Sequence, residues 1–198
     1  KVYLTFDDGP SKETEKILDI LKKRQVKATF FSIGRDDAFS KKMYQRIVKE
    51  GHTLGMHSYS HQYKEIYQSM DAFQADYERI SNCLTAATGI KPLYYRFPGG
   101  STEVTEKLQM TDLDAYFNAQ GASYFDWNVI AANNTTDDVS VNKMVDSVMN
   151  GVALYDTSIV LMYDSVDRKM TAKSLDSILD YLLKNGYEIL PIDENTIP

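Results

Sequence analysis

Two carboxylates stand side by side in Asp7-Asp8-Gly9-Pro10, and two of the chain's three histidines lie four residues apart in His57-Ser58-Tyr59-Ser60-His61. Neighbouring residues of a regular strand face opposite ways, so Asp7 and Asp8 converge on one site only where the strand breaks. Gly9-Pro10 supplies such a break. Imidazoles at this spacing share one side of a helical turn, a common way of offering two nitrogen ligands to zinc. Plainer readings stand beside these. The aspartates equally make a solvated turn that caps a helix, while a surface or core pair is the lesser of the two readings for the histidines. His52, on the opposite strand face from His57, reads as structural.

Three further places carry candidates. In Arg96-Phe97-Pro98-Gly99-Gly100 a guanidinium can brace a carboxylate through two hydrogen bonds, and the glycine pair lets backbone N–H groups approach a ligand. Asp126-Trp127 puts an acid beside the chain's one tryptophan; a tryptophan suits a sugar face, but a lone one more often packs a core. Leu161-Met162-Tyr163-Asp164 closes an apolar run with polar residues.

The elements that must position these residues alternate strand and helix. Apolar runs at 1–6, 28–33, 52–56, 93–97, 122–129, 158–162 and 187–190 read as strands. Helical periodicity covers 12–24 with Ser11 as cap, 37–50, 69–88, 102–119, 140–150 and 171–185, several of them stopped by glycine. This alternation predicts an α/β fold with a mostly parallel sheet wrapped by helices, and so many strands in 198 residues favour a closed or nearly closed barrel. The candidates cluster at the strand ends, where parallel barrels build their sites. No repeat or linker divides the chain, so residues 1–198 read as a single domain. Its abrupt start on a strand suggests excision from a longer secreted or cell-surface protein. The stretch Asn133 to Asp138 is loop-like and holds two glycosylation-type triplets.

Composition bounds the function. The chain is 43% hydrophobic and 25% charged with a net charge of -6, which suits a globular protein and disfavours nucleic-acid binding. No apolar run approaches the ~20 residues of a membrane span. Cys83 is the only cysteine, which excludes an intrachain disulfide and any multi-cysteine metal site.

Taken in order, Thr5-Phe6-Asp7-Asp8-Gly9-Pro10, Ala28-Thr29-Phe30-Phe31, Gly51-His52, His57 through His61, Arg96 through Ser101, Asp126-Trp127-Asn128-Val129 and Ile159 through Met162 resemble the polysaccharide deacetylases of carbohydrate esterase family 4, the NodB-homology domain. The Arg-Phe-Pro-Gly-Gly form is most similar to the branch that acts on peptidoglycan. The resemblance implies a distorted, open (β/α) barrel of about seven parallel strands and metal-dependent removal of acetyl groups from N-acetylglucosamine polymers, outside the cell or at its surface, by a monomer. It implies Asp8, His57 and His61 as metal ligands, with zinc the usual ion and cobalt or manganese tolerated. Asp7 is then the catalytic base, Arg96 its holder and the Gly99 N–H the oxyanion donor. Asp126 tunes a catalytic histidine, and Trp127 and Leu161 wall the acetyl pocket. One carboxylate and two imidazoles leave positions open on the ion, the mark of a catalytic zinc site. The nearby cation and Arg96 are expected to keep Asp7 ionised.

The sequence departs from the family at the last motif, where Tyr163 stands in place of the proton-donating histidine. The stretch after Trp127 also lacks acids common in that branch. A weakened deacetylase is therefore expected. The alternative is a carbohydrate-binding pseudoenzyme that keeps the metal site without turnover.

Overall fold

All six residues Val2–Asp7 are buried, as they must be in a parallel strand covered on both faces; they form β1. The structure is a computed structural model that describes residues 1–104, 108–131 and 140–197. In chain order β1 is followed by α1 (Lys12–Arg24), β2 (Thr29–Ser32), α2 (Ala38–Lys49), β3 (Thr53–Met56), α3 (Tyr63–Ile66), α4 (Met70–Thr88) and β4 (Tyr94–Tyr95). Next come a 3₁₀ turn (Ser101–Glu103), α5 (Met110–Gln120), β5 (Ser123–Tyr124), β6 (Val129–Ile130), α6 (Val141–Val152), β7 (Ser158–Tyr163) and α7 (Lys169–Lys184).

The strands form one sheet in the order β5-β4-β3-β2-β1-β7-β6, with every pairing parallel. This is the expected open α/β barrel. Alternation along β1 divides the interior in two. Val2, Leu4 and Phe6 point into the main core beneath the helices, among residues such as Ile17, Leu21 and Leu179. Tyr3 points the other way, into a small cluster with Phe31, Phe125 and Ile192 inside the curl of the sheet. Asp7 shares that inner face, at its open end.

Residues 122–129 correct the expectation of a single strand. The segment instead splits into β5 and β6, which lie on opposite edges of the sheet. Phe125 donates its N–H to Tyr95 (2.9 Å) and Asn128 donates its N–H to Ile159 (3.2 Å). A stretch of four residues spans at most about 14 Å, so the two edges come close and Phe125–Asn128 bridges them. The apolar content that suggested a strand comes from this bridge, which carries Asp126 and Trp127 across the mouth. Residues 187–190 make only a bridge between Ile189 and Val2 rather than a strand. The expected helix at 102–119 is a 3₁₀ turn and then α5, with 105–107 outside the described residues; the loop and triplets of Asn133–Asp138 also lie outside them.

Candidate active site

β1 ends where Asp8 enters the left-handed region (φ 75), so the two aspartates turn toward one place. Asp164, 1% exposed at the end of β7, fixes that turn. It accepts hydrogen bonds from Gly9 N–H (2.8 Å) and the Thr14 hydroxyl (2.5 Å), and its carbonyl accepts from the Ser11 hydroxyl (2.6 Å). A Cβ on Gly9 would lie 2.1 Å from Asp164 Oδ2, so only glycine allows this approach. Burial pushes the Asp164 carboxyl up to about 7, against the Thr14 hydrogen bond. Ser11 caps α1 as expected, accepting from Glu13 N–H.

The histidine pair departs from expectation in its backbone. Residues 57–61 form a loop rather than a helical turn, with Ser58 (φ 69) and His61 (φ 55) left-handed. Asp76 on α4 holds this loop by accepting from Tyr59 N–H (2.7 Å) and Ser60 N–H (2.9 Å). His57 is 3% exposed, and its Nδ1–H donates to the Arg96 carbonyl (2.8 Å). That bond fixes the tautomer and leaves the Nε2 lone pair facing Asp8. Asp8 Oδ1 lies 3.4 Å from His57 Nε2 and 3.2 Å from His61 Nε2. One ligand atom from each residue falls within 4.8 Å of the others, and Asp8 Oδ1 and His61 Nε2 are buried without a hydrogen-bond partner among the described residues. Burial works against ionisation of Asp8, but the two imidazoles outweigh it and hold the carboxyl well below its usual range. Burial likewise opposes protonation of His57, and the charges of Asp7 and Asp8 overcome it and raise its pKa.

Arg96 is fully buried beneath the site. Its Nη1 donates to Asp7 Oδ1 (3.0 Å) and Thr5 Oγ1 (2.6 Å), Nε to the Phe125 carbonyl (2.8 Å) and Nη2 to the Asp126 carbonyl (3.0 Å). The brace on Asp7 is thus one-pronged, because the other donors hold the bridge across the mouth. Burial pushes the Asp7 pKa up, against the lowering charges of Arg96 and His57.

A cavity of about 60 Å³ brings together Asp7, Asp8, His57, Gly99, Trp127 and Tyr163. His61 flanks it through Asp8. Arg96 and Asp126 stand behind its walls, and Leu161, 2% exposed, sits two residues below Tyr163 on the same face of β7 without lining the cavity. Both carboxylate oxygens of Asp126 accept from Ser101, one from its N–H (3.0 Å) and one from its hydroxyl. Sequence reasoning missed Tyr63, which lines the cavity and packs edge-on against His61 (5.3 Å), along with the holding roles of Asp76, Ser101 and Asp164. Ser101 and Asp164 lie within segments quoted above, where their types could have suggested a holding role. Asp76, fifteen residues beyond His61 on a helix, carries no local signal. His52 is structural as expected: it is 6% exposed, and its Nδ1 accepts from Ala28 N–H (3.1 Å).

Residues 1–117, which carry the aspartate pair, the histidine loop and the Arg96 segment, match the polysaccharide deacetylase family. The chain belongs to that family. The catalytic domain of a peptidoglycan N-acetylglucosamine deacetylase from Eubacterium rectale superposes with a TM-score of 0.90 at 35% identity, covering 99% of this chain and 90% of that one. A peptidoglycan-N-acetylglucosamine deacetylase of Listeria monocytogenes is 32% identical over 197 residues, which are 98% of this chain and 38% of the Listeria protein. The chain thus spans well under half the length of that relative. A CE4 family pseudoenzyme from Bacillus anthracis shares the fold at 24% identity, with a TM-score of 0.78 over 96% of this chain and 63% of that one. The polysaccharide deacetylase fold therefore does not by itself establish turnover.

Proposed function

We propose that the chain is a metal-dependent hydrolase that removes N-acetyl groups from an N-acetylglucosamine polysaccharide, peptidoglycan or a chitin-like polymer. The observation that carries this reading is one cavity that joins the Asp8/His57/His61 cluster to a buried carboxylate, Asp7, held from behind by Arg96. The donor set fits a divalent cation. It offers a carboxylate oxygen and an imidazole nitrogen that are buried without hydrogen-bond partners among the described residues, and a second imidazole whose tautomer aims its lone pair at them. Zinc suits these ligands, and cobalt and manganese are its alternates. When bound, such an ion supplies Lewis-acid polarisation of the acetyl carbonyl and a lowered pKa for water.

The remaining work falls to the chain. Asp7 takes the proton from the attacking water; Arg96 occupies its Oδ1 and leaves Oδ2 for the transfer. Burial raises the Asp7 pKa, while Arg96 and a cation held beside it would pull the carboxyl back toward the ionised form a base needs. The Gly99 N–H, at the cavity wall, donates to the oxygen as negative charge develops on it. Trp127 presents an apolar wall to the acetyl group or sugar face. The leaving amine then takes its proton from the Tyr163 hydroxyl or from Asp7.

All these groups come from one chain, so a monomer suffices. No helix among the described residues is long and apolar enough to cross a membrane. A polymer of the cell wall would place the activity outside the cell or at its surface.

The test is release of acetate and free amine from peptidoglycan and N-acetylglucosamine oligomers by the metal-free protein and by the zinc, cobalt and manganese forms. Release in the metal-loaded forms alone is expected. Tyr163, at the position of the family's acid, favours one other reading, a carbohydrate-binding pseudoenzyme. Oligomer binding without release in any metal form would establish it.

A further inference from the structure

We infer that Ser101 and Asp126 form a clamp that positions the Gly99 amide, so that Asp126 serves this chain as a holder of the donor loop. The inference rests on the deacetylase reading and names how that site keeps its oxyanion donor in place.

The donor loop is a turn from Phe97 to Gly100, closed by Gly100 N–H to the Phe97 carbonyl (2.8 Å). Pro98 and then a left-handed Gly99 (φ 82) is the order a type II turn requires. A Cβ on Gly99 would fall 2.4 Å from Glu103 Cγ, so the position is closed to other residues. Gly100 is left-handed as well (φ 88). Two consecutive glycines give the segment more freedom than an oxyanion donor can tolerate, since misplacement of even 1 Å removes much of its effect. No hydrogen bond among the described residues holds the Gly99 N–H itself.

The restraint comes from the next residue. Ser101 engages Asp126 twice, through N–H to Oδ1 (3.0 Å) and hydroxyl to Oδ2. Two charge-assisted bonds from one residue fix both the position and the direction of the chain leaving Gly100. Asp126 is fixed in turn, because its carbonyl accepts from Arg96 Nη2 (3.0 Å). The same guanidinium holds Asp7. A continuous series of hydrogen bonds therefore runs from the donor loop through Ser101, Asp126 and Arg96 to the base. It sets the distance between the group that takes the proton and the group that meets the oxyanion.

Ser101→Ala removes the hydroxyl and keeps the N–H; Ser101→Thr keeps both. The probe is a β-1,4-linked N-acetylglucosamine tetramer with the zinc-loaded protein, together with amide hydrogen exchange read at residues 100 and 101. Ser101→Ala is expected to lower kcat on the order of tenfold, less than the loss of an oxyanion donor itself, with KM and zinc stoichiometry unchanged. Exchange at residues 100 and 101 should quicken while β1 amides keep their wild-type rates, and Ser101→Thr should restore both readouts. Wild-type kcat and exchange in Ser101→Ala overturn the clamp, as does a loss confined to KM or a failure of Ser101→Thr to restore either readout. If the wild type itself releases no acetate, the deacetylase reading fails separately. Exchange alone then decides the clamp: faster exchange in Ser101→Ala supports it, and unchanged exchange overturns it.

Discussion

Arg96 Nη1 lies 3.0 Å from Asp7 Oδ1, and the two side chains are 0% and 2% exposed. A buried ion pair of this kind stabilises less than its contact suggests, but removing one partner strands the other charge. Arg96→Met should therefore lower unfolding free energy by about 3–5 kcal/mol, read from urea denaturation. Asp7→Asn keeps a polar partner for Arg96 and removes the base. It should retain the metal and lose on the order of 10²–10⁴-fold in turnover, the usual worth of a general base. Release of the metal by Asp7→Asn with its rate intact would exchange the roles of Asp7 and Asp8.

The Asp8/His57/His61 cluster should bind one divalent ion per chain. His57→Ala and Asp8→Ala should each abolish binding, measured as zinc retained after dialysis. His57→Ala leaves the loop clamped by Asp76, so the loss should come without a large fall in melting temperature. Stoichiometric zinc in His57→Ala/His61→Ala would place the metal elsewhere.

His52 makes stability depend on pH. Burial, reinforced by the charge of Lys27, pushes its pKa down from 6.5 to about 4. Accepting from Ala28 N–H also requires the Nδ1 lone pair. Between these two values the unfolded chain binds a proton that the folded chain refuses. The contribution is thus complete above pH 6.5 and is lost as pH falls toward about 4. It amounts to about 3 kcal/mol. Asp164 runs the other way: its carboxyl is raised from 3.8 to about 7, so its contribution is lost as pH rises through that range. Urea unfolding of His52→Gln beside wild type separates the two. The stability difference should shrink or reverse as pH falls from 6.5 to 4. A difference independent of pH would mean that folded His52 takes up its proton normally.

The strand and helix order was legible because apolar periodicity and glycine stops are local signals. Residues 122–129 misled for a physical reason: a bridge that packs Phe125 into the inner cluster needs the same apolar content as a buried strand. The metal cluster was legible as a set of residue types, but its backbone was not. Helical spacing brought His57 and His61 together on paper, whereas the fold does so through left-handed Ser58 and His61, held from α4 by Asp76. The depth at which Asp7 is buried was not legible either, because the sequence showed the charges near it and not the bridge that closes over it.

Tyr163 decides how the reaction ends. It lines the cavity and pairs in register with Asp7 across β1 and β7, with the Arg168 guanidinium 5.2 Å from its ring centre. His57 and His61 belong to the metal cluster and His52 is buried away from the cavity, so no imidazole remains to protonate the leaving nitrogen. An ordinary phenol, with a pKa near ~10, is a slow donor at neutral pH. The pH–rate profile should therefore rise once, as Asp7 ionises, and show no fall near neutrality from a histidine acid. Tyr163→Phe separates the two remaining routes. A large loss assigns the proton to the phenol, and little change means that Asp7 returns the proton it took from water. Tyr163→His alone should bring no more than a few-fold gain, since Ser101 sets the direction of the Asp126 carboxylate and only the lone pairs left over could orient an imidazolium. A gain of tenfold or more, with a new falling limb near neutrality, would show that Asp126 serves a histidine in addition to Ser101.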